Sequence, residues 1–235
     1  MPIVSKSFAV ASALIALTGS AFAAEPVRHI GLYVVPFYAS AQTPDGQPQV
    51  AVGSRYNALL ASNKREDILA ARDLITAAPQ RVTPMTLMVL AIRFYDVGLR
   101  DDAVLWFYVA KERFIVMAGV LDVKSKLLAE AASAVGAFAT LAGPVINGYA
   151  FCDLAKQQEL HAKAIDWVEA HPYEVMFMAQ APALPGDRAE NHRRALAKVR
   201  EDDAKARAYF ADAKTVEAFY ATRKRNEADV KFCWK

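Results

Sequence analysis

After Gly53 the chain turns helical and stays so. Near its end Leu196, Val199, Ala206, Phe210, Ala213, Val216 and Tyr220 recur mostly at spacings of three, four or seven, one apolar stripe on a long helix. The pattern up to Gly53 differs. Residues 29–38 (HIGLYVVPFY) are β-branched and aromatic like a strand, with Pro36 favouring an edge. Thr43-Pro44-Asp45-Gly46 is a turn signal and 49–53 (QVAVG) a returning strand, which predicts a short hairpin or extended arm.

Punctuation divides the helical part. A short helix is expected over 54–62, and Asn63 with Glu66 resembles a capping box for a helix ending before Pro79. Thr83-Pro84 starts the next, which runs to Val97 and stops at Gly98. Asp101 and Asp102 open a helix ending near Gly119. Further helices are expected over 121–142, closed by Gly143-Pro144, and over 149–170, ended by Pro172. After a loop at Pro182, Pro185 and Gly186, Asp187 and Glu190 begin a long helix with a break near Asp202-Asp203. Residues 85–92 and 103–110 carry little polar face, so this pair should form the centre of the core. The stretch 131–152 is uncharged, but Gly136, Gly143, Pro144 and Gly148 interrupt it. Its small face of Ala132, Gly136 and Thr140 predicts close packing against a neighbouring helix rather than a membrane span.

Residues 1–23 read differently again. Lys6 supplies a positive start, 8–17 an apolar run, and Ala21-Phe22-Ala23 a small-x-small cleavage site. This is the pattern of a cleaved signal peptide. A mature chain starting near Ala24, in the periplasm or secreted, is expected. The arm 24–53 and the helical part 54–235 should then pack as one unit. In such a compartment Cys152 and Cys233, the two cysteines of the chain, are expected to form a disulfide.

With 54% hydrophobic and 23% charged residues over 235, the chain is neither disordered nor low-complexity. Residues 188–235 carry 13 Lys/Arg against 8 Asp/Glu, while 24–187 carry 14 against 17. Interleaved charges of this kind read as a solvated helix face. No stacking-aromatic motif points to nucleic acid.

Leu90, Ala91, Phe94, Gly98, Ala103, Phe107 and Ala110 follow one another at offsets of 3, 7, 12, 16 and 19 from Ala91. That order of small, aromatic, Gly, Ala, aromatic, Ala resembles one unit of a tetratricopeptide or Sel1-like repeat. The resemblance implies a mainly α fold, a helical-hairpin array with Phe94 and Phe107 inside, and the binding role common among such repeats. No Trp stands at the early helix position, which Leu87 occupies, and no Pro closes the second helix. A unique α-helical fold stays open beside the repeat array.

Catalytic signatures are missing from the sequence: no GxSxG, Walker loop, GxGxxG after a strand, HExxH or CxxC. Glu159, His161 and Asp166 are too awkwardly spaced on a helix to form an acid–base group. Glu201-Asp202-Asp203 reads as helix-start charge. No catalytic, cofactor-binding or metal residue is therefore nominated, and no cofactor is expected. The leading expectation is an exported, non-catalytic helical module that holds another protein or peptide, an inhibitor or immunity-type binder being one version. Arg93, Tyr95 and Tyr108 are its candidate partner-binding residues, with Arg93→Ala or Tyr95→Ala expected to spare the thermal melt while weakening capture of a partner. The alternative is a small periplasmic, hydrolase-like enzyme whose site is assembled from residues distant in sequence.

Overall fold

The computed structural model describes residues 24–43 and 45–234. The predicted signal peptide and Pro44 of the predicted turn lie outside these residues. Three two-residue antiparallel strands come first: β1 (Tyr33–Val34), β2 (Tyr38–Ala39) and β3 (Gln49–Val50), in the order β1-β2-β3. The predicted strand over 29–38 is thus split in two, because the chain reverses at Val35-Pro36 and the Phe37 N–H returns to the Val34 carbonyl at 2.8 Å. Ile30, Leu32, Val34 and Tyr38 are buried, and the Tyr38 ring meets Phe138 edge-on at 6.2 Å. The arm is therefore part of the core.

Nine helices follow among the described residues. The first two, α1 (Ser54–Leu60) and α2 (Arg65–Ala77), are short and amphipathic. The expected capping box at Asn63 does not form. Its amide instead donates to the Gly46 carbonyl at 2.9 Å, tying the turn to the helices. Helix α3 (Pro84–Asp96) starts as its sequence signals: Thr83 Oγ1 accepts the Thr86 N–H at 3.1 Å. It ends at Gly98, whose φ of +80° suits glycine. Every residue of α3 from Thr86 to Tyr95 is buried, as are most of α4 (Arg100–Ala118). This pair is the centre of the core, with Ala91, Phe94, Ala103, Phe107 and Ala110 all inside.

Helix α5 (Ala129–Ala150) runs straight through the predicted stop at Gly143-Pro144. Thr140 and Pro144 both stand on its exposed side, where water can serve the carbonyl that proline leaves without a donor. The face it buries carries Ala134, Val135, Phe138, Ala142 and Ile146, not the small stripe. Gly136 has no neighbour within 4 Å of the position a Cβ would take, so the expected close packing there does not occur. By length and composition α5 is apolar enough to cross a membrane, and a third of that apolar window is buried in the protein.

Helix α6 (Leu154–Ala170) is capped by Asp153 and α7 (Arg188–Ala211) by Asp187, which accepts the Glu190 N–H at 2.8 Å. The long C-terminal helix breaks at Asp212, not near Asp202. The Asp212 carboxylate takes the Thr215 N–H at 2.9 Å and opens α8 (Ala213–Arg225). Last comes α9 (Ala228–Phe232), held to α5 by the Cys152–Cys233 disulfide, whose Cα atoms lie 5.6 Å apart. Arg223 bridges the same corner, donating to the Gly148 carbonyl at 3.0 Å and to Asp229 at 3.1 Å.

Candidate functional site

A cavity of about 360 Å³ opens where α4, α5, α6 and α7 meet. One side is apolar: Phe107, Ala139, Phe151, Ala206 and Phe210. The other carries Tyr108, Lys111, Asn147, Gln157, Gln158, His161, Asp203 and Arg207. Its size and its mix of an apolar lining with a few convergent polar groups are those of a small-ligand site.

His161 is the hub. From α6 its Nε2 lies 3.1 Å from Glu112 Oε1 on α4, and its Nδ1 lies 2.8 Å from Asp203 Oδ1 on α7. Arg207 Nε donates to the other Asp203 oxygen at 2.7 Å, and Lys111 Nζ lies 3.3 Å from Glu112. The result is a chain of contacts that alternates basic and acidic side chains, Lys111–Glu112–His161–Asp203–Arg207. Burial acts on Glu112 to raise its pKa, but the His161 bond and the Lys111 charge outweigh it and hold the carboxyl below its ordinary value. Asp203 is likewise lowered: burial opposes, while the bonds from Arg207 and His161 prevail. Ionised carboxylates only accept, so Asp203 and Glu112 each offer His161 an acceptor, one at each ring nitrogen.

Beside the hub, the Tyr108 hydroxyl donates to Asn147 Oδ1 at 3.0 Å and accepts from Gln157 Nε2 at 3.1 Å. Its ring stands edge-on to His161 at 5.0 Å. Burial pushes the Tyr108 hydroxyl pKa up to about 12, so it stays protonated at neutral pH.

The residues nominated from sequence fare differently. Arg93 and Tyr95 are each 1% exposed and Tyr108 is 4% exposed, so none reaches the outer surface. The cause is that α3 has no outward face near its C-terminal end. Arg93 is buried because its charge is answered there: Asp96 accepts at 2.7 Å, the Ser62 carbonyl at 2.9 Å and Asn63 Oδ1 at 2.6 Å. Tyr95 donates to the Val27 carbonyl at 2.8 Å and pins the N-terminal arm. Tyr108 alone faces the cavity.

Glu159 and Asp166 do not join His161, as their spacing implied. Glu159 pairs with Lys163 and Asp166 with Arg200. Asp203, in contrast, is no helix-start charge: it lies far along α7 and faces the imidazole. Sequence reasoning passed over the grouping because its members lie 42 and 49 residues from His161. The available signal was weak: an acid and a histidine, each on the predominantly apolar side of its helix.

The chain is 32% identical over 224 residues to an uncharacterized protein of Haemophilus influenzae, a match spanning 95% of this chain and 86% of that protein. It belongs to the same family as that protein. No family model matches the chain, and no solved structure matches it.

Proposed function

We propose that the protein is an exported, non-catalytic helical module that holds a protein or peptide partner through the cavity between α4, α5, α6 and α7. The observation that carries this reading is that the cavity's acid–base groups are already engaged with one another. Both nitrogens of His161 are bonded to carboxylates, and the Tyr108 hydroxyl is bonded on both sides. A general base needs a free lone pair within reach of its substrate. Each nitrogen of His161 already faces a carboxylate, whereas the apolar wall and the amides offer a seat.

Export is supported by the leader-like pattern of residues 1–23 and by the bridge between Cys152 and Cys233, a feature typical of oxidising compartments. The α3–α4 hairpin, with its buried Ala and Phe positions, supports a repeat-like origin for the scaffold.

Ala206 is exposed at the cavity mouth, so Ala206→Trp should block the cavity while leaving the core intact. Capture of a partner from envelope extract should be lost in this variant with the melt retained. Undiminished capture would reject the cavity as the seat.

A second reading rests on the same hub. A histidine between two carboxylates at a cavity wall is also a resting arrangement for acid–base catalysis, should substrate displace one carboxylate. Turnover of a hydrolase substrate that disappears in His161→Gln would establish this reading instead.

A further inference from the structure

We propose that the cavity recognises an amphiphilic carboxylate: an aromatic-sized apolar body that ends in a single negative charge. This rests on the non-catalytic binding reading and names its ligand chemistry. Phe107, Phe151, Phe210, Ala139 and Ala206 provide the seat for the body. The charge preference follows from the polar wall. Two cations, Lys111 and Arg207, flank the grouping, and the two carboxylates between them, Glu112 and Asp203, are already engaged by these cations and by His161.

The cations, unlike the carboxylates, are accessible. The carboxylates are turned inward, Glu112 to His161 and Lys111, Asp203 to His161 and Arg207. The two ends of the charge chain are the cations at the rim, with side chains 46% (Lys111) and 39% (Arg207) exposed. Arg207 uses Nε on Asp203 and Nη2 on the Gln158 carbonyl at 2.6 Å, while its Nη1 makes no bond among the described residues. Lys111 Nζ has one partner there and three donors. The Asn147 amide nitrogen, which makes no bond among the described residues, is a further donor beside Tyr108. Donors outnumber free acceptors around an apolar floor, and a carboxylate is the acceptor-only group that matches.

A small organic acid and the C-terminus of a peptide share this chemistry. The test uses the full chain with its disulfide intact and four probes followed by calorimetry and two-dimensional NMR: 3-phenylpropionate, N-acetylphenylalanine and the primary amide of each. Both acids should bind saturably and protect Ala139 and Ala206 signals, and the amides should bind at least about 10-fold more weakly. Tighter binding of N-acetylphenylalanine identifies a chain terminus as the source, and tighter binding of 3-phenylpropionate a free acid. Lys111→Gln and Arg207→Gln should each weaken the acids but not the amides, and Ala206→Trp should abolish all binding. Amides equal to acids, or acid binding that survives Ala206→Trp, would overturn the proposal. If no probe binds while Ala206→Trp still abolishes partner capture, the ligand chemistry fails and the binding reading stands. If an acid binds and is chemically altered, the non-catalytic reading fails and the ligand chemistry stands.

Discussion

The guanidinium carbon of Arg113 lies 4.6 Å from the centroid of the Trp167 ring, stacking a buried cation of α4 on an aromatic of α6. The same group donates to three backbone carbonyls: Pro79 at 2.6 Å, Val82 at 2.9 Å and His171 at 2.7 Å. Arg113 therefore replaces water for a loop, a turn and a helix end at once. Burial is severe enough to bring its pKa down to about 10, yet it remains charged at neutral pH. Arg113→Met should lower stability by about 3 kcal/mol or more, since the carbonyls lose their donors. Arg113→Lys should recover only part of this, because an ammonium lacks the planar fork. Urea titration at neutral pH measures both. A loss within about 0.5 kcal/mol for Arg113→Met, the range of ordinary surface changes, would contradict the assigned role.

Arg93→Ala should unfold the chain more readily, not spare it as a surface position would. Its removal leaves Asp96 buried beside the Ile30 N–H and His29, with no cation from α3. The expected loss is about 3–5 kcal/mol, read from the thermal or urea midpoint. An unchanged midpoint would restore Arg93 to the list of candidate binding residues.

Reduction of the disulfide should release the C-terminal helix and lower global stability. Cys152 and Cys233 are separated by 81 residues, and a closed loop of that length is worth about 4–5 kcal/mol as an upper value in the chain-entropy model. Free-thiol titration of unfolded, unreduced protein should find none from this pair, and Cys152→Ala/Cys233→Ala should melt at the midpoint of the reduced wild type. Two thiols per unreduced chain would show that the bridge does not form.

Acid should weaken the junction of α4, α6 and α7. Glu112 and Asp203 both ionise at lower pH in the folded chain than ordinary carboxyls do. The stability they add is fully present above the ordinary carboxylate range, and it is lost as pH falls through their lowered folded values. In Glu112→Gln this loss should be shallower, measured as urea midpoints at a series of pH values from neutral to acid. Parallel curves for the two proteins would exclude Glu112 as a contributor.

Two glycines of α5 should respond in opposite senses to alanine. A Cβ at Gly148 would stand 2.6 Å from the Phe232 ring, so Gly148→Ala must displace α9 and should cost about 1–3 kcal/mol. Gly136 faces open space within its helix, and Gly136→Ala should stabilise by about 0.5–1 kcal/mol. Differential scanning calorimetry of the two variants checks the pair. A stabilised Gly148→Ala would show that α9 does not pack as described.

What was legible in the sequence was local or solitary. Thr83 and Gly98 mark the ends of α3 because capping and a left-handed turn depend on the residue itself. The cysteines pair as expected because there is one possible partner for each. Arg93 was misread because a charge predicts exposure until the carbonyl of Ser62 and the side chains of Asn63 and Asp96 are brought around it. The same limit hid the cavity. Glu201, Asp202 and Asp203 are alike as a sequence, and only the packing of α7 on α6 decides that Asp203 meets His161 while the others pair with Lys205 and Lys198.

Helix α7 is 24 residues long, yet only Asn191 and Val199 are fully buried on it. What fastens it to α6 is largely ionic: Arg200 to Asp166 at 2.7 Å and to Glu169 at 2.5 Å, Asp203 to His161, and Arg207 to the Gln158 carbonyl. The Arg200 pairs are exposed, and attractions of that kind fade once the Debye length shrinks to a few ångströms, as in molar salt, while the apolar core is unaffected or strengthened. The outer wall of the cavity is therefore fastened by a different force from the rest of the molecule. Brine should loosen that wall first and leave α3 and α4 closed behind it.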